Sequence, residues 1–151
     1  MSGDDTVWFE DIEAGTTVDC GSTTVSEDEI IEFAEEFDPL DIHTNPKVAS
    51  ATQFEGVIAS GYHTLCLSAR LLVEKVRSKR AVVGGLGIDD VTWKRPVRPD
   101  DTLRVKTDIL NTRLSESDPN KGVVHEHITV RNQHERIVLS YKNHELVHCR
   151  N

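Results

Sequence analysis

The sequence lacks long apolar runs. Stretches such as Val57–Ile58 and Leu71–Val73 fall far short of the ~20 residues that cross a bilayer, so no membrane span is expected. The start, Met1-Ser2-Gly3-Asp4-Asp5, has neither the basic n-region nor the apolar h-region of a signal peptide, which leads to the expectation of a cytoplasmic protein. Cysteine is sparse: Cys20, Cys66 and Cys149 are odd in number and have no CxxC spacing, against both a disulfide framework and a zinc knuckle. Reduced thiols are expected. Positive charge is also scarce, with Lys+Arg 17 against Asp+Glu 26 and a formal net charge of -9. General nucleic-acid binding needs clustered cations and is disfavoured. Arginines outnumber lysines, and with the acidic excess this would suit a high-salt cytoplasm as well as an ordinary acidic cytosolic protein. There is no repeat, no low-complexity tract and no linker long enough to divide the chain, so residues 1–151 read as one domain.

What is present is 37% hydrophobic sequence, enough for a respectable core. Helical signals fill the first half and strand signals the second, the order of an α+β domain with a mainly antiparallel sheet. Ser26 and Glu29 have capping-box spacing, and three acidic residues occupy the first turn that follows. Ile30, Phe33, Ala34 and Phe37 then recur at helical spacing. The helix is expected to stop at Asp38, because the residue before Pro39 is pushed out of helical geometry. Periodicity is lost from Asp38 to Gly61, apart from a turn or two of helix at Lys47–Thr52. Irregular segments that long are often functional.

A second helix is expected from Tyr62 to about Arg77, with Tyr62, Leu65, Cys66, Ala69, Leu72, Val73 and Val76 on one stripe and Leu67 and Leu71 beside it. This places Cys66 in the core. Gly84-Gly85-Leu86-Gly87 reads as a helix-ending turn. Strands are expected at Thr16–Thr24, Leu86–Trp93, Thr102–Leu110, Gly122–Val130 and Arg136–His148, with alternation such as Leu103, Val105 and Ile109 against Arg104, Lys106 and Asp108. One buried helix wrapped by a five-stranded antiparallel sheet follows.

Phe33-Ala34, Phe37-Asp38-Pro39, His43-Thr44 and Phe54-Glu-Gly-Val-Ile-Ala-Ser-Gly61 precede the long helix, and Trp93-Lys-Arg-Pro-Val97 and Asp100-Asp-Thr-Leu103 follow it. This series resembles the MaoC-like dehydratase family, which adopts the hot-dog fold and includes the (R)-specific enoyl-CoA hydratases. The resemblance spans roughly Phe9 to Val147. It implies an acyl-CoA hydratase/dehydratase with a catalytic Asp and His separated by four residues, a spacing that Asp38 and His43 match. The family's Asn-Pro in this loop is replaced by Leu40-Asp41. The resemblance also implies a homodimer, with higher assemblies open, and no metal or redox cofactor, coenzyme A entering as part of the substrate.

Adding water to a trans-2-enoyl thioester needs a base for the water, an acid for the α-carbon and donors for the developing enolate oxygen. A histidine with an ordinary pKa near 6.5 changes charge at working pH, and Asp38 is suited to orient the water and exchange the second proton. Ser60 and Gly61 stand at the start of the long helix, where backbone N–H groups and the dipole favour negative charge. By resemblance the Gly61 amide is the oxyanion candidate. Simpler readings stand beside these: Asp38 as a turn residue, His43 as a loop histidine, Ser60 as an N-cap and Asn45 as a turn residue before Pro46. His63 reads as packing or solvent-facing, and His125 with His127 as a polar strand face lacking a third metal ligand.

Coenzyme A carries several phosphates, so an acidic protein needs a local basic patch to hold it. Lys94, Arg95 and Arg98 form one candidate; Lys75, Arg77, Lys79 and Arg80 form another. Alternatives on the same fold are an acyl-CoA thioesterase and a non-catalytic acyl-CoA-binding subunit.

Overall fold

The computed structural model describes residues 5–151; Met1 to Asp4, most of the start read above for a leader, lie outside the described residues. A 3-10 turn at Phe9–Asp11 precedes β1 (Thr17–Thr24), and α1 (Glu27–Phe37), α2 (Asp41–Thr44) and α3 (Pro46–Ser50) form a helix-loop segment ahead of the long α4 (Gly61–Lys75). After a second 3-10 turn at Arg77–Lys79 come β2 (Val82–Trp93), β3 (Thr102–Leu114), β4 (Lys121–Arg131) and β5 (Ile137–His148). The strands form one antiparallel sheet in the order β1-β3-β4-β5-β2. This is the expected α+β hot-dog arrangement. No helix among the described residues is long and apolar enough to cross a membrane.

Local chemistry accounts for the first helix as the sequence predicts. The Ser26 hydroxyl accepts the Glu29 N–H at 3.1 Å, and Ser26 N–H donates back to the Glu29 carboxylate at 3.0 Å, a reciprocal capping box. Ile30 and Ala34 are fully buried, and the backbone leaves helical geometry at Asp38, with φ -156° and ψ 67°, ahead of Pro39. In α4, Leu67, Leu71 and Leu72 pack on Leu103, Val105, Ile128, Val130, Val138 and Leu139 of the sheet. Each such side chain contributes about 1.5–3 kcal/mol when fully removed from water.

The face that α4 buries differs from the expected stripe. His63, Thr64, Leu67, Ser68, Leu71 and Leu72 turn inward, whereas Tyr62, Cys66, Ala69 and Val73 are exposed. Polar residues are tolerated inside because they find partners: Ser68 Oγ donates to the Leu65 carbonyl at 2.7 Å and lies 2.7 Å from the Tyr141 hydroxyl. A satisfied buried hydroxyl escapes the desolvation penalty that a hydropathy pattern assumes. Cys66 is therefore an exposed thiol rather than part of the core.

Gly84-Gly85-Leu86-Gly87 is not a turn. It lies inside β2, which begins at Val82, and the register against β5 shifts between Val82 and Gly84 and again between Gly85 and Gly87. Glycine suits such bulges because no side chain needs a place in the disturbed pleat. β2 is an edge strand, and Val83, Leu86 and Ile88 on it are exposed.

The second basic run also has a different role from the one expected. Arg80 is buried and donates to both Glu126 oxygens, at 2.8 and 3.1 Å, and to Glu145 at 2.9 Å. Arg77 bonds the other Glu145 oxygen. Thr107 and Asn143 donate to Glu126 as well, at 2.8 and 3.1 Å. Burial would push the Glu126 carboxyl up, yet the Arg80 guanidinium holds it below its ordinary value. Arg77 and Arg80 are thus committed to buried carboxylates and are not available to coenzyme A phosphates.

Candidate active site

Asp38, His43, Ser60 and Gly61 are brought together where α1 ends and α4 begins. Ser60 is wholly buried. Its hydroxyl accepts the Tyr62 N–H at 3.2 Å, capping α4, and donates to Asp38 Oδ2 at 2.7 Å. The hydroxyl thus caps α4 and bonds the Asp38 carboxylate with one atom. Asp38 Oδ2 also lies 3.5 Å from His43 Nε2, so one carboxylate oxygen faces both partners.

The orientation of His43 follows from its other nitrogen. Nδ1 is 2.7 Å from the Ile58 carbonyl, and a carbonyl only accepts, so Nδ1 carries the proton. Nε2 of the neutral ring then presents a lone pair toward Asp38. Two acceptors 3.5 Å apart do not bond directly, but one water donating a hydrogen to each would satisfy both. The Leu40-Asp41 pair opens α2, where His43 N–H donates to the Leu40 carbonyl at 2.9 Å. The loop ahead of the histidine is thus helical, and His43 sits buried in its last turn. The bond from Ile58 N–H to the Ile42 carbonyl, 3.0 Å, fixes this turn against the segment that carries Ser60.

Gly61 is explained by Trp93. A Cβ built on Gly61 would lie 2.5 Å from the indole, and Trp93 Nε1 donates to the Gly61 carbonyl at 2.9 Å. The glycine thus makes room for a side chain of the same protein. Its N–H has no acceptor among the described residues, in keeping with the unpaired donors of a first helical turn. A cavity of about 380 Å³ opens here, lined among others by His43, Ile58, Gly61, Thr64, Trp93 and Arg95.

The remaining histidines separate by environment. His63 is buried and stacked on Phe33, with centroids 4.5 Å apart, and its Nδ1 is a buried atom without a partner. Burial, helped by the Arg70 charge and opposed by Glu29, holds its pKa below the ordinary value. It is a packing residue. His125 pairs with His144 rather than His127: their Nδ1 atoms are 2.7 Å apart, and His144 Nε2 is 2.7 Å from Asp89 Oδ2. Among the described residues no three side chains are grouped to hold a metal ion. Asn45 caps α3 by accepting the Val48 N–H at 3.2 Å.

Sequence reasoning did not single out the Ile58 carbonyl, Trp93 as the neighbour of Gly61, or Thr64. Only Trp93 left a signal, as a large aromatic beside Lys94-Arg95-Pro96.

The family model described as a MaoC like domain matches residues 11–132. A protein of Bacillus subtilis named Uncharacterized protein YdeM is 34% identical over 103 residues, 68% of this chain and 73% of that protein. The MaoC-like dehydratase of Rhodospirillum rubrum superposes with a TM-score of 0.86 at 30% identity, covering 96% of this chain and 99% of that one. The (R)-hydratase PhaJ1 of Pseudomonas aeruginosa shares the fold, with a TM-score of 0.76 at 21% identity over 97% of this chain and 88% of that one. The chain, with its five-stranded sheet around α4 and its match over most of its length, belongs to the MaoC-like dehydratase family.

Proposed function

We propose that the protein is an acyl-CoA hydratase/dehydratase that adds water reversibly across the double bond of a trans-2-enoyl-CoA, with Asp38 and His43 as the acid/base pair. The observation that carries this reading is the approach of His43 Nε2 to Asp38 Oδ2 at 3.5 Å, beside a cavity at the start of α4. A water held between them directs one hydrogen to each and its own lone pair to the substrate β-carbon. As the oxygen–carbon bond forms, His43 Nε2 takes one proton while Asp38 holds the other hydrogen, and the π electrons move to the thioester oxygen. The Gly61 N–H donates to this oxyanion, within the positive end of the α4 dipole. The proton reaching the α-carbon is returned from the pair, the carbonyl re-forms, and the pair ends as it began. General acid/base groups of this kind typically contribute about 10² to 10⁴ in rate. The scheme calls for no metal or redox cofactor.

In this reading residues 1–151 act as one cytoplasmic hot-dog domain that pairs with a second copy through the β2 edge. Unpaired edge strands are otherwise covered or blunted, and Val83, Leu86 and Ile88 are exposed on this one.

One assay tests the proposal against its alternatives. Incubation with crotonyl-CoA is followed both by the loss of enoyl absorbance and by the release of free thiol. Loss without thiol is the expected result; thiol release would indicate a thioesterase, and neither signal a binding subunit. Asp38→Asn and His43→Ala should each abolish hydration in a folded protein. Near-normal turnover in either variant would remove the pair from the mechanism.

A further inference from the structure

A second cavity, of about 610 Å³, adjoins the one at the catalytic pair, and Arg95 and Pro96 line both. The rest of its wall includes Arg98, Arg136, Gln133 and Asp101. Three guanidiniums thus converge on one cleft in a chain with a net charge of -9. Elsewhere Arg77, Arg80, Arg104 and Arg150 each have a carboxylate partner, while Arg70 and Arg131 bond threonine hydroxyls. Among the described residues none of Arg95, Arg98 and Arg136 forms such a pair, although Asp101 lines the same cleft. Its two oxygens are occupied otherwise, one by the Arg98 backbone N–H at 2.9 Å and one by the Gln133 amide at 2.8 Å. Arg98 Nη1 bonds the Phe54 carbonyl, and Phe54 lines the first cavity, so the wall between the two cavities is cross-braced.

Three guanidiniums outnumber the one carboxylate that lines the cleft, and the repulsion left among them is relieved when an anion binds. Guanidiniums suit phosphate oxygens in particular, because their planar forks match them two at a time. Building on the reading under Proposed function, we propose that the Arg95, Arg98 and Arg136 cleft binds the 3′-phosphoadenosine diphosphate end of coenzyme A while the thioester lies at Asp38 and His43. The pantetheine arm then passes along the shared Arg95–Pro96 wall. Arg136, on the hairpin between β4 and β5, is brought to the cleft by the fold and is far in sequence from the Lys94-Arg95-Pro96-Val97-Arg98 run.

The test uses the variants Arg95→Gln and Arg136→Gln, singly and together; Arg98 is left intact because it also holds the Phe54 carbonyl. Two substrates are compared, crotonyl-CoA and crotonyl-pantetheine, which lacks every phosphate. Each lost charged contact should raise KM for crotonyl-CoA about 10-fold, from the usual worth of a hydrogen bond to a charged group, with kcat changed less than about 2-fold. Turnover of crotonyl-pantetheine by Arg136→Gln, whose site lines only the second cavity, should match that of the unmodified protein, and this variant decides the comparison of the two substrates. Calorimetric titration with adenosine 3′,5′-bisphosphate should show binding that the double variant loses. An unchanged KM for crotonyl-CoA, or an equal loss on both substrates, overturns the proposal. So does a KM increase confined to a crotonyl group carried on an acyl carrier protein, which would reassign the cleft to that protein. If the unmodified protein hydrates neither thioester, the proposed reaction fails while the titration still decides the nucleotide site.

Discussion

Replacing Ser60 with alanine should separate what holds the helix from what holds the Asp38 carboxylate. The hydroxyl makes two bonds, accepting the Tyr62 N–H at 3.2 Å and donating to Asp38 Oδ2 at 2.7 Å. Loss of an N-cap costs about 1 kcal/mol. A hydrogen bond to a charged group is worth about 1.5–3 kcal/mol, but the Asp38 side chain is 21% exposed, and water replacing the hydroxyl should reduce that loss to about 1 kcal/mol. The sum of about 2 kcal/mol corresponds to a fall in Tm of about 4–8 °C for a chain of this size. Freed from Ser60, Asp38 Oδ2 no longer stays opposite His43 Nε2, and a loss of about 1.4–2.8 kcal/mol of transition-state stabilisation lowers kcat about 10- to 100-fold. KM should change little, because substrate binding is not what the bond serves. Ser60→Gly is the control: glycine at an N-cap costs only a few tenths of a kcal/mol but loses the Asp38 bond as alanine does, so it should recover about a third of the lost Tm and none of the lost kcat. Thermal unfolding and hydration of crotonyl-CoA, measured on all three proteins, decide the matter. Full turnover in Ser60→Ala, with Tm lowered as expected, would reduce Ser60 to a helix cap and refute its role in positioning Asp38.

Two further substitutions probe buried groups away from the site. Arg80→Met leaves Glu126 and Glu145 buried with fewer donors, and breaking such a network by removing one partner costs about 3–5 kcal/mol. Denaturant unfolding should show this as a lower midpoint, and a loss below about 1 kcal/mol would contradict the buried charges described here. His63 has its pKa held below the unfolded value by burial, so the unfolded chain binds the extra proton. Its contribution to stability is present above about pH 6.5 and is lost as pH falls. His63→Leu should therefore flatten the decline of stability between pH 6.5 and pH 5, by at most about 1.4 kcal/mol per pH unit. An unchanged slope in urea unfolding across that range would show that His63 is not kept neutral by the fold.

What the sequence disclosed depended on the range of the interaction. The α1 capping box lies within four residues, and Ser26 and Glu29 form it as read. The strand alternation is local too, and β3 and β4 appear where expected. Errors arose where a residue's environment is supplied from far along the chain. Ser68 is buried because Tyr141 meets it, and Arg80 because Glu126 and Glu145 do. A hydropathy pattern counts both as surface residues. The glycines of β2 looked like a turn because their composition is that of a turn; their place at two register shifts of an edge strand depends on β5. Of the site, the residue types were legible, while the link from Ser60 to Asp38, 22 positions apart, belongs to the fold alone.

Both ends of α4 are tied by polar groups, and this bears on why so costly a network as Arg80, Glu126 and Glu145 sits in the interior. The C-terminal end is followed by Arg77 and Arg80, whose guanidiniums reach carboxylates on β4 and β5. The N-terminal end is capped by Ser60, and the same hydroxyl holds Asp38. A well-packed apolar replacement of a buried ion pair is often at least as stable, so stability alone gives little reason for the network. Apolar side chains, however, slide against one another at little cost, whereas a guanidinium bonded at 2.8 to 3.1 Å to two carboxylates accepts one position. The helix that presents Ser60 and Gly61 to the site is thereby fixed along its axis by residues at its far end. Catalytic groups must be held to within about 0.5 Å, and a helix with 15 residues between anchor and site transmits that constraint because its backbone is rigid.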